Sequence, residues 1–331
     1  MMVPNYPLGT GNAGLVYILI INWNQAALTI ECLESVYNTE GVHSRVLVVD
    51  NGSTDDSVQQ ICHAFPEVEV LEAGENLGYS EGNNFGLRYA LQQGADYILL
   101  LNNDTAIDPQ MLPGLLSVAE SDPHIGIVGP TQLYFDLPDT IWGADNHVEW
   151  SQGLTRRARM GEILSDGSNS GRIPESVEAD YIDTCAALVR AEVFRQIGLL
   201  DPRYFINFDD ADLGLRTKKA GFQVICWPAA RMWHKVSAAM GQASPATTYY
   251  MTRNLLLLFS SHAHGTERLQ ALLRILARTL RTVGTWTLKP AYRGDALFQR
   301  RRDANLYAMR DFFIGRFGKM GSDVARACFG K

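Results

Sequence analysis

The sequence predicts an α/β protein, with a mostly parallel central sheet covered by helices on both faces and a helical C-terminal extension. Two patterns carry this expectation. Between Val16 and Val128, short apolar runs alternate with helix-compatible stretches, as strands buried on both faces of a parallel sheet require. After about Tyr249 the chain turns helical and basic. The expected division is an N-terminal tail over 1–14, a large α/β domain over 15–250 and a basic helical extension over 251–331.

The apolar runs Val16–Ile21, Val46–Val49, Val68–Leu71, Tyr97–Leu101 and Ile125–Val128 read as buried strands. The stretches Gln25–Tyr37, Ser57–Ala64, Asn83–Gln93 and Pro109–Glu120 read as the intervening helices. Residues 133–178 are rich in Gly, Ser and Asp and predict loops with short antiparallel strands. Regularity returns with a strand over Ile182–Arg190, a helix over Ala191–Ile197 and a helix ending at Ala220. A further strand, Phe222–Cys226, runs on to Trp233-His234. In the tail, Glu267–Leu288 places Leu269, Leu272, Leu273, Leu276, Leu280 and Val283 on one helical face and Arg274, Arg278 and Arg281 on the other.

Composition narrows the class. With 331 residues, 46% of them hydrophobic and 20% charged, the chain can bury a sizeable core. That balance excludes a disordered or collagen-like chain. Five cysteines with no short spacing exclude a disulfide frame or zinc site and predict free thiols in a reducing compartment. Residues 1–14 lack a basic region followed by an apolar run, so no signal peptide is expected. The run Leu255–Phe259 is too short to span a bilayer. The expected location is the cytoplasm, free or peripheral on the cytoplasmic face of the inner membrane.

The net charge of -7 hides an uneven distribution. Residues 1–250 carry 14 Lys and Arg against 31 Asp and Glu, whereas residues 251–331 carry 15 against 5. The basic tail is either a solvated helix face or a segment that seeks an anionic surface. Nucleic acid is not the expected partner, because no recognition motif accompanies the charge.

Polar clusters fall where the predicted strands end, the edge at which open α/β sheets bind ligands. Asn22-Trp23-Asn24 follows the first strand and Asp50-Asn51-Gly52-Ser53-Thr54 the second. Gly52 suits a turn and Ser53 or Thr54 a helix cap, which leaves Asp50 free to accept hydrogen bonds from a ribose or base. The Gly- and Asn-rich segment Asn76–Gly86 suits close backbone approach to a ligand. It matches neither the dinucleotide fingerprint nor a Walker loop. Asn102-Asn103-Asp104 places an acid after a buried strand, suited to an Asx turn or to a divalent cation, with His234 a candidate second ligand. Asp209, Asp210 and Asp212 stabilise a helix start or raise one another's pKa values for general base work.

In this order the segments resemble the family 2 inverting glycosyltransferases of the GT-A (nucleotide-diphospho-sugar transferase) fold. The likeness runs from Val16 to about Val236 and is nearest to bacterial rhamnosyltransferase-like enzymes of surface polysaccharide synthesis. It rests on Ile20-Ile21-Asn22-Trp23-Asn24, Val48 to Asp55, Asn76-Leu77-Gly78-Tyr79, Leu101 to Asp104, Cys185 to Arg190, Asp209 to Leu213 and His234. The resemblance implies a nucleotide site with Asp50 at the base, Asn22 and Asn24 near the nucleoside, and Asn76, Gly78, Asn84 and Asn103 around the pocket. It implies that Asp104 and His234 ligate Mg²⁺ or Mn²⁺. Asp210 becomes the catalytic base with Asp209 its neighbour, and Arg253 a diphosphate or acceptor contact. Two departures stand out: Asn102 replaces the first acid of the metal motif, and Asp209 replaces the usual Glu. Fewer carboxylates imply weaker cation binding.

The expected reaction moves a sugar from a nucleoside-diphosphate donor, dTDP-rhamnose or a UDP-hexose, to a hydroxyl of a glycan or lipid-linked acceptor. Two rivals remain at this stage. One is an oxidoreductase, disfavoured by the missing glycine fingerprint. The other is a non-catalytic nucleotide-sugar-binding or scaffold protein of a polysaccharide-assembly complex. For the tail, the alternatives are a helix packed on the main domain and an interfacial helix with Trp286 at the headgroups and Arg300, Arg301 and Arg302 near anionic lipid.

Overall fold

The computed structural model describes residues 14–39, 41–164, 176–236 and 244–330. All of the expected N-terminal tail except Gly14 lies outside them. The first half comprises β1 (Val16–Asn22), α1 (Ala26–Tyr37), β2 (Ser44–Asp50), α2 (Ser57–Ala64), β3 (Glu69–Glu72), α3 (Gly78–Gln92), β4 (Tyr97–Asn102), β5 (Thr105–Ile107), α4 (Met111–Ser121) and β6 (Ile125–Tyr134). Then come β7 (Ile141–Gly143), β8 (Asn146–Glu149), a 3₁₀ turn (Trp150–Gln152), β9 (Leu154–Arg157), β10 (Val177–Glu178), β11 (Ala186–Arg190), α5 (Ala191–Ile197), α6 (Asp209–Lys219) and β12 (Gln223–His234). The chain ends in α7 (Pro245–His262), α8 (Gly265–Leu288), α9 (Pro290–Arg293), α10 (Ala296–Phe313) and α11 (Ser322–Phe329).

The main sheet runs β10-β12-β6-β11-β4-β1-β2-β3, with β5 added to β12 and β7 to β6. Four of its seven neighbour pairings along that path are parallel, and β11 enters antiparallel between β4 and β6. The apolar runs are continuous because both faces are covered. Val16, Ile18 and Ile20 face α1 and α4, while Tyr17 and Leu19 face α3 and α5. The helix expected from Asn83 begins five residues earlier, at Gly78. Its Gly82 and Gly86 let it lie against the sheet, since a Cβ there would meet Ile21 at 2.5 Å or Leu19 at 2.4 Å. These glycines serve helix–sheet approach, not ligand approach.

The boundary expected at 250 falls inside α7, which shares a core with the main domain. Leu256–Phe259 pack with Tyr204, Phe208 and Ala211 on one side and with Ala271 and Ile275 of α8 on the other. The basic side of α8 is exposed, yet two of its arginines are pinned to backbone: Arg274 donates to the Ser151 carbonyl, and Arg278 to those of Gln152 and Gly153. The leucine side is split: Leu272 and Leu276 pack inward, whereas Leu269, Leu273 and Leu280 face outward, 61%, 57% and 54% exposed. Among the described residues, no helix is long and apolar enough to cross a membrane. All five cysteines are free thiols, four of them buried.

The loop into α6 is strained. Phe205, Asn207 and Phe208 have φ of 65°, 68° and 67°, and each non-glycine residue in that region costs about 1–3 kcal/mol. Asn254 and Arg253 of α7 hold it. Asn254 Nδ2 is 2.8 Å from the carbonyls of Tyr204 and Ile206 and 3.1 Å from that of Asn207. Arg253, fully buried, reaches the carbonyls of Arg203, Tyr204 and Gly318. Asn254→Ala removes the donor from the part-buried Ile206 and Asn207 carbonyls, while Tyr204 keeps Arg253 and the Ile206 amide. It is expected to cost about 1–3 kcal/mol in urea denaturation, with amide exchange rising first over residues 204–210. A loss below about 0.5 kcal/mol would mean that the loop holds its own shape.

Candidate active site

A cleft of about 820 Å³ opens at the carboxyl end of β4, where β11 and β12 also end or begin. Asp104, Asp183, Asp209, Asp210 and His234 line its floor. Residues of α7, α8 and α10 form the facing wall.

Asp104 and His234 meet through a strand pairing that the sequence did not suggest. β5 pairs antiparallel with β12, setting His234 opposite Thr105. His234 Nε2 then lies 3.1 Å from Asp104 Oδ1. Both side chains are buried, and His234 Nδ1 has no partner. Asn102 is engaged elsewhere, its Oδ1 2.8 Å from the Tyr79 hydroxyl. Among the described residues no group of three His, Cys, Asp or Glu converges on one point. The described residues therefore offer a divalent cation one carboxylate and one imidazole. That donor set fits a hard cation which takes its remaining ligands from substrate phosphates and water.

The acids at the start of α6 divide by role. Asp212 is buried between His262 and Arg216, each 2.7 Å away. Burial opposes its charge, but these two partners hold its carboxyl below the usual range. It ties α6 to α7 and lies outside the cleft. Asp209 is buried with Oδ2 unpartnered, and burial pushes it up to about 7, with the charges of Asp212 and Asp183 adding to the shift. Asp210 turns into the cleft, and its carboxyl lies well above the ordinary range through burial and the neighbouring charges of Asp183 and Asp209.

Asp183 was not foreseen as a site residue. It sits within hydrogen-bonding reach of Asp210. Arg157 Nη2 donates to its Oδ1 at 2.9 Å, and Asn146 Nδ2 to its Oδ2 at 2.8 Å. Burial opposes its charge, yet Arg157 and Asn146 hold it below the usual range. The Arg157 guanidinium lies 3.9 Å from the centre of the Trp142 ring, whose edge meets His234 at 4.7 Å. One contact chain thus joins the Asp183–Asp210 pair to the Asp104–His234 pair. The sequence signal was a carboxylate interrupting the apolar run at Ile182-Asp183.

The nucleoside candidates form a second group at the ends of β1 and β2. Asn22 donates to Asp50 Oδ1 at 2.9 Å and accepts from Thr29, which accepts in turn from Asn103. Ser53 binds Asp50 through both its amide and its hydroxyl, so it braces the acid and does not cap α2. Asn24, at φ 54°, accepts from the Thr54 amide and leaves Trp23 half exposed at the rim. Asn76 closes a turn onto the Gly78 amide.

Three expected ligand contacts are structural instead. Gly78 faces Phe205, which a Cβ would meet at 2.4 Å, and the amides of Tyr79 and Ser80 bind the Phe205 carbonyl. Asn84 clamps the backbone of Leu200 through both ends of its amide. Arg253 belongs to the loop clamp, with Tyr249 and Tyr250 5.1 Å from its guanidinium carbon.

Residues 17–198, more than half of the chain, match the family model for glycosyl transferase family 2. The chain belongs to that family. It is 27% identical over 240 residues to an N-acetylglucosaminyl-diphospho-decaprenol L-rhamnosyltransferase of Mycobacterium tuberculosis, covering 66% of this chain and 75% of that one. With the dTDP-rhamnosyl transferase RfbF of Shigella flexneri it shares 23% identity over 251 residues, 73% of this chain and 79% of that one. A solved mannosyltransferase of Pyrobaculum calidifontis superposes with a TM-score of 0.55 at 16% identity, covering 91% of this chain and 87% of that one. The protein is a GT-A-fold glycosyltransferase, rhamnosyltransferase-like among the enzymes of polysaccharide and glycan synthesis.

The raised carboxyls set a pH dependence of stability for this glycosyltransferase. A carboxyl that keeps its proton longer in the native state contributes fully below the unfolded value, and that contribution is lost as pH rises through the native value. For Asp209 the window runs from 3.8 to about 7. Asp209→Asn, which mimics the protonated form, is expected to flatten the fall in unfolding free energy across that window. An unchanged slope would mean that Asp209 is already charged in the native protein.

Proposed function

We propose that the protein catalyses an inverting transfer, with Asp210 as general base for the acceptor hydroxyl. The observation that carries this reading is a proton-holding carboxyl, Asp210, facing the same cleft as a cation-competent Asp104–His234 pair. An acceptor hydroxyl is far too weak an acid to attack unaided at neutral pH, so a base must take its proton as the bond to the anomeric carbon forms. A base with a raised pKa is matched to that task. Arg157 and Asn146 fix Asp183, and Asp183 in turn fixes the Asp210 carboxyl by hydrogen bonding and keeps its proton affinity high. Attack opposite the departing diphosphate in a single displacement inverts the anomeric centre.

The donor nucleoside is assigned to the rim formed by Asn22, Asn24, Asp50 and Trp23. Asp50 Oδ2 accepts one bond, from the Ser53 amide, and an ionised carboxylate oxygen has capacity for another from a base imide. Trp23 offers an exposed ring for stacking on the base. Asp104 and His234 would hold Mg²⁺ or Mn²⁺, which supplies charge neutralisation for the leaving diphosphate. The rhamnosyltransferase relatives support dTDP-rhamnose as donor over a UDP-hexose, and a lipid-linked acceptor. A thermal-shift panel of nucleotide sugars, run with and without Mn²⁺, separates the donors.

Asp210→Asn is expected to bind donor normally and to lose transfer by about 10²- to 10⁴-fold. In wild type, kcat/KM rises with pH through the raised value of the base. Asp183→Asn removes a repelling charge and leaves Arg157 facing Asp210, so the acidic limb moves to lower pH. Near-normal turnover by Asp210→Asn, or an unmoved limb in Asp183→Asn, removes the assignment.

We assign the cytoplasmic face of the inner membrane as the working location. Leu269, Leu273 and Leu280 form an outward apolar stripe on α8, with Arg268 and Arg281 exposed beside it. Such a helix lies in a headgroup boundary. Anionic vesicles are expected to co-sediment the protein at low salt, and Leu273→Asp with Leu280→Asp to abolish this. Wild-type protein left in the supernatant ends the membrane assignment.

A further inference from the structure

The cleft is acidic on its floor and basic on its outer wall, and the two sides differ in how their charges are matched. On the floor, Asp183 has Arg157. On the wall, Arg301 of α10 and Arg278 of α8 line the cavity, and among the described residues neither pairs with a carboxylate. Arg278 spends both Nη nitrogens on the carbonyls of Gln152 and Gly153. Arg301 spends only Nε, which donates to Thr248 Oγ1 at 3.2 Å. Its guanidinium lies 4.8 Å from the centre of the Trp286 ring and 5.7 Å from that of Phe298. Trp286 is therefore part of the cleft wall and not an outward anchor at the headgroups. Burial holds both guanidinium groups below their ordinary range.

A guanidinium fixed on an aromatic face, lining an open cavity with both Nη groups uncommitted, is built for a phosphate-type anion, which it can grip with paired donors. The nucleoside candidates Asn22, Asn24 and Asp50 do not line this cavity, whereas residues of α7, α8 and α10 do. The donor's own diphosphate has the Asp104–His234 site. A neutral acceptor would leave Arg301 partly desolvated and unmatched, which is costly.

We propose that this wall is an acceptor-side anion site, in which Arg301 grips a phosphate or diphosphate carried by the acceptor and Arg278 adds a second positive charge. The inference rests on the transferase reading and deepens it, by specifying that the acceptor is anionic. A phosphate could be carried by a prenyl lipid or by a soluble sugar. The same helix that lines the cleft with Thr279, Thr282 and Trp286 carries the exposed leucines outward, which favours the lipid.

The test is direct binding to the full chain by calorimetry, with the donor end first saturated by UDP or dTDP. The probes are farnesyl diphosphate, farnesol and inorganic pyrophosphate. Wild type is expected to prefer farnesyl diphosphate to farnesol by at least about tenfold. Arg301→Gln is expected to lose that preference while its nucleotide binding is unchanged, and Arg301→Lys to keep part of it. Pyrophosphate binding as tightly as farnesyl diphosphate assigns the site to soluble phosphorylated acceptors, and a gain from the prenyl chain assigns it to lipid. Displacement of farnesyl diphosphate by the nucleotide, or an undiminished preference in Arg301→Gln, overturns the proposal. Asp210→Asn should bind these probes as wild type does, so failure of the anion site is distinguishable from failure of the base assignment.

Discussion

The active site depends on one buried clamp: Asn254 and Arg253 of α7 holding the carbonyls of Arg203, Tyr204, Ile206 and Asn207. Without it, three non-glycine residues would have to hold left-handed backbone immediately before α6. With it, α6 begins where Asp209 is buried and Asp210 points into the cleft. The same loop receives the start of α3, because the Phe205 carbonyl takes two amides from that helix and its ring fills the space that Gly78 leaves. Donor-side and acceptor-side elements are thus joined through one strained turn. The helical extension is part of the architecture of the cleft, since it supplies the residues that hold the turn.

The floor of the cleft works by separating like groups. Four aspartates on or just behind it, Asp183, Asp209, Asp210 and Asp212, are pushed towards the protonated form by burial. Specific partners decide which are charged. Arg157 and Asn146 keep Asp183 ionised, and His262 with Arg216 does the same for Asp212. Asp209 and Asp210 have no cation of their own and retain protons to higher pH. A pair of acids pushed in opposite directions is a common basis for acid–base chemistry. Here the asymmetry comes from Arg157, a residue on a hairpin outside the main sheet.

Much of this was legible from residue order. Four of the five apolar runs lie wholly in strands and the other, Val68–Leu71, does so from Glu69; the helices over 57–64 and 191–197 have the bounds expected of them. Asp104, His234, Asp209 and Asp210 meet in one cleft. What was not legible shares a physical cause. Asn84, Gly78 and Arg253 carry polar or permissive chemistry, but each is used on backbone from a distant part of the chain, and such tertiary demands leave no local period. Asp183 was hidden for the converse reason: inside an apolar run it reads as a strand residue until Arg157 and Asp210 are placed beside it. The short β5, which sets His234 against Asp104, has three residues and too little pattern to detect.

The long helix α8 shows where periodicity itself runs out. Amphipathic spacing says that a helix has two unlike faces, and it does not say which one turns inward. The usual choice buries the leucines and solvates the arginines. Here Arg274 and Arg278, themselves exposed, are pinned to the carbonyls of residues 151–153. Ala271 and Ile275 supply the inward contact with Leu272 and Leu276 beside them, and Gly153 lets the helix lie close, since a Cβ there would meet Ala271 and Ile275 at 2.9 Å. Leu269, Leu273 and Leu280 are left outside. An exposed stripe of this kind carries a standing cost in water, which any apolar surface that covered it would remove. The excess charge of the tail, by contrast, is partly committed to the main domain through the carbonyls that Arg274 and Arg278 bind.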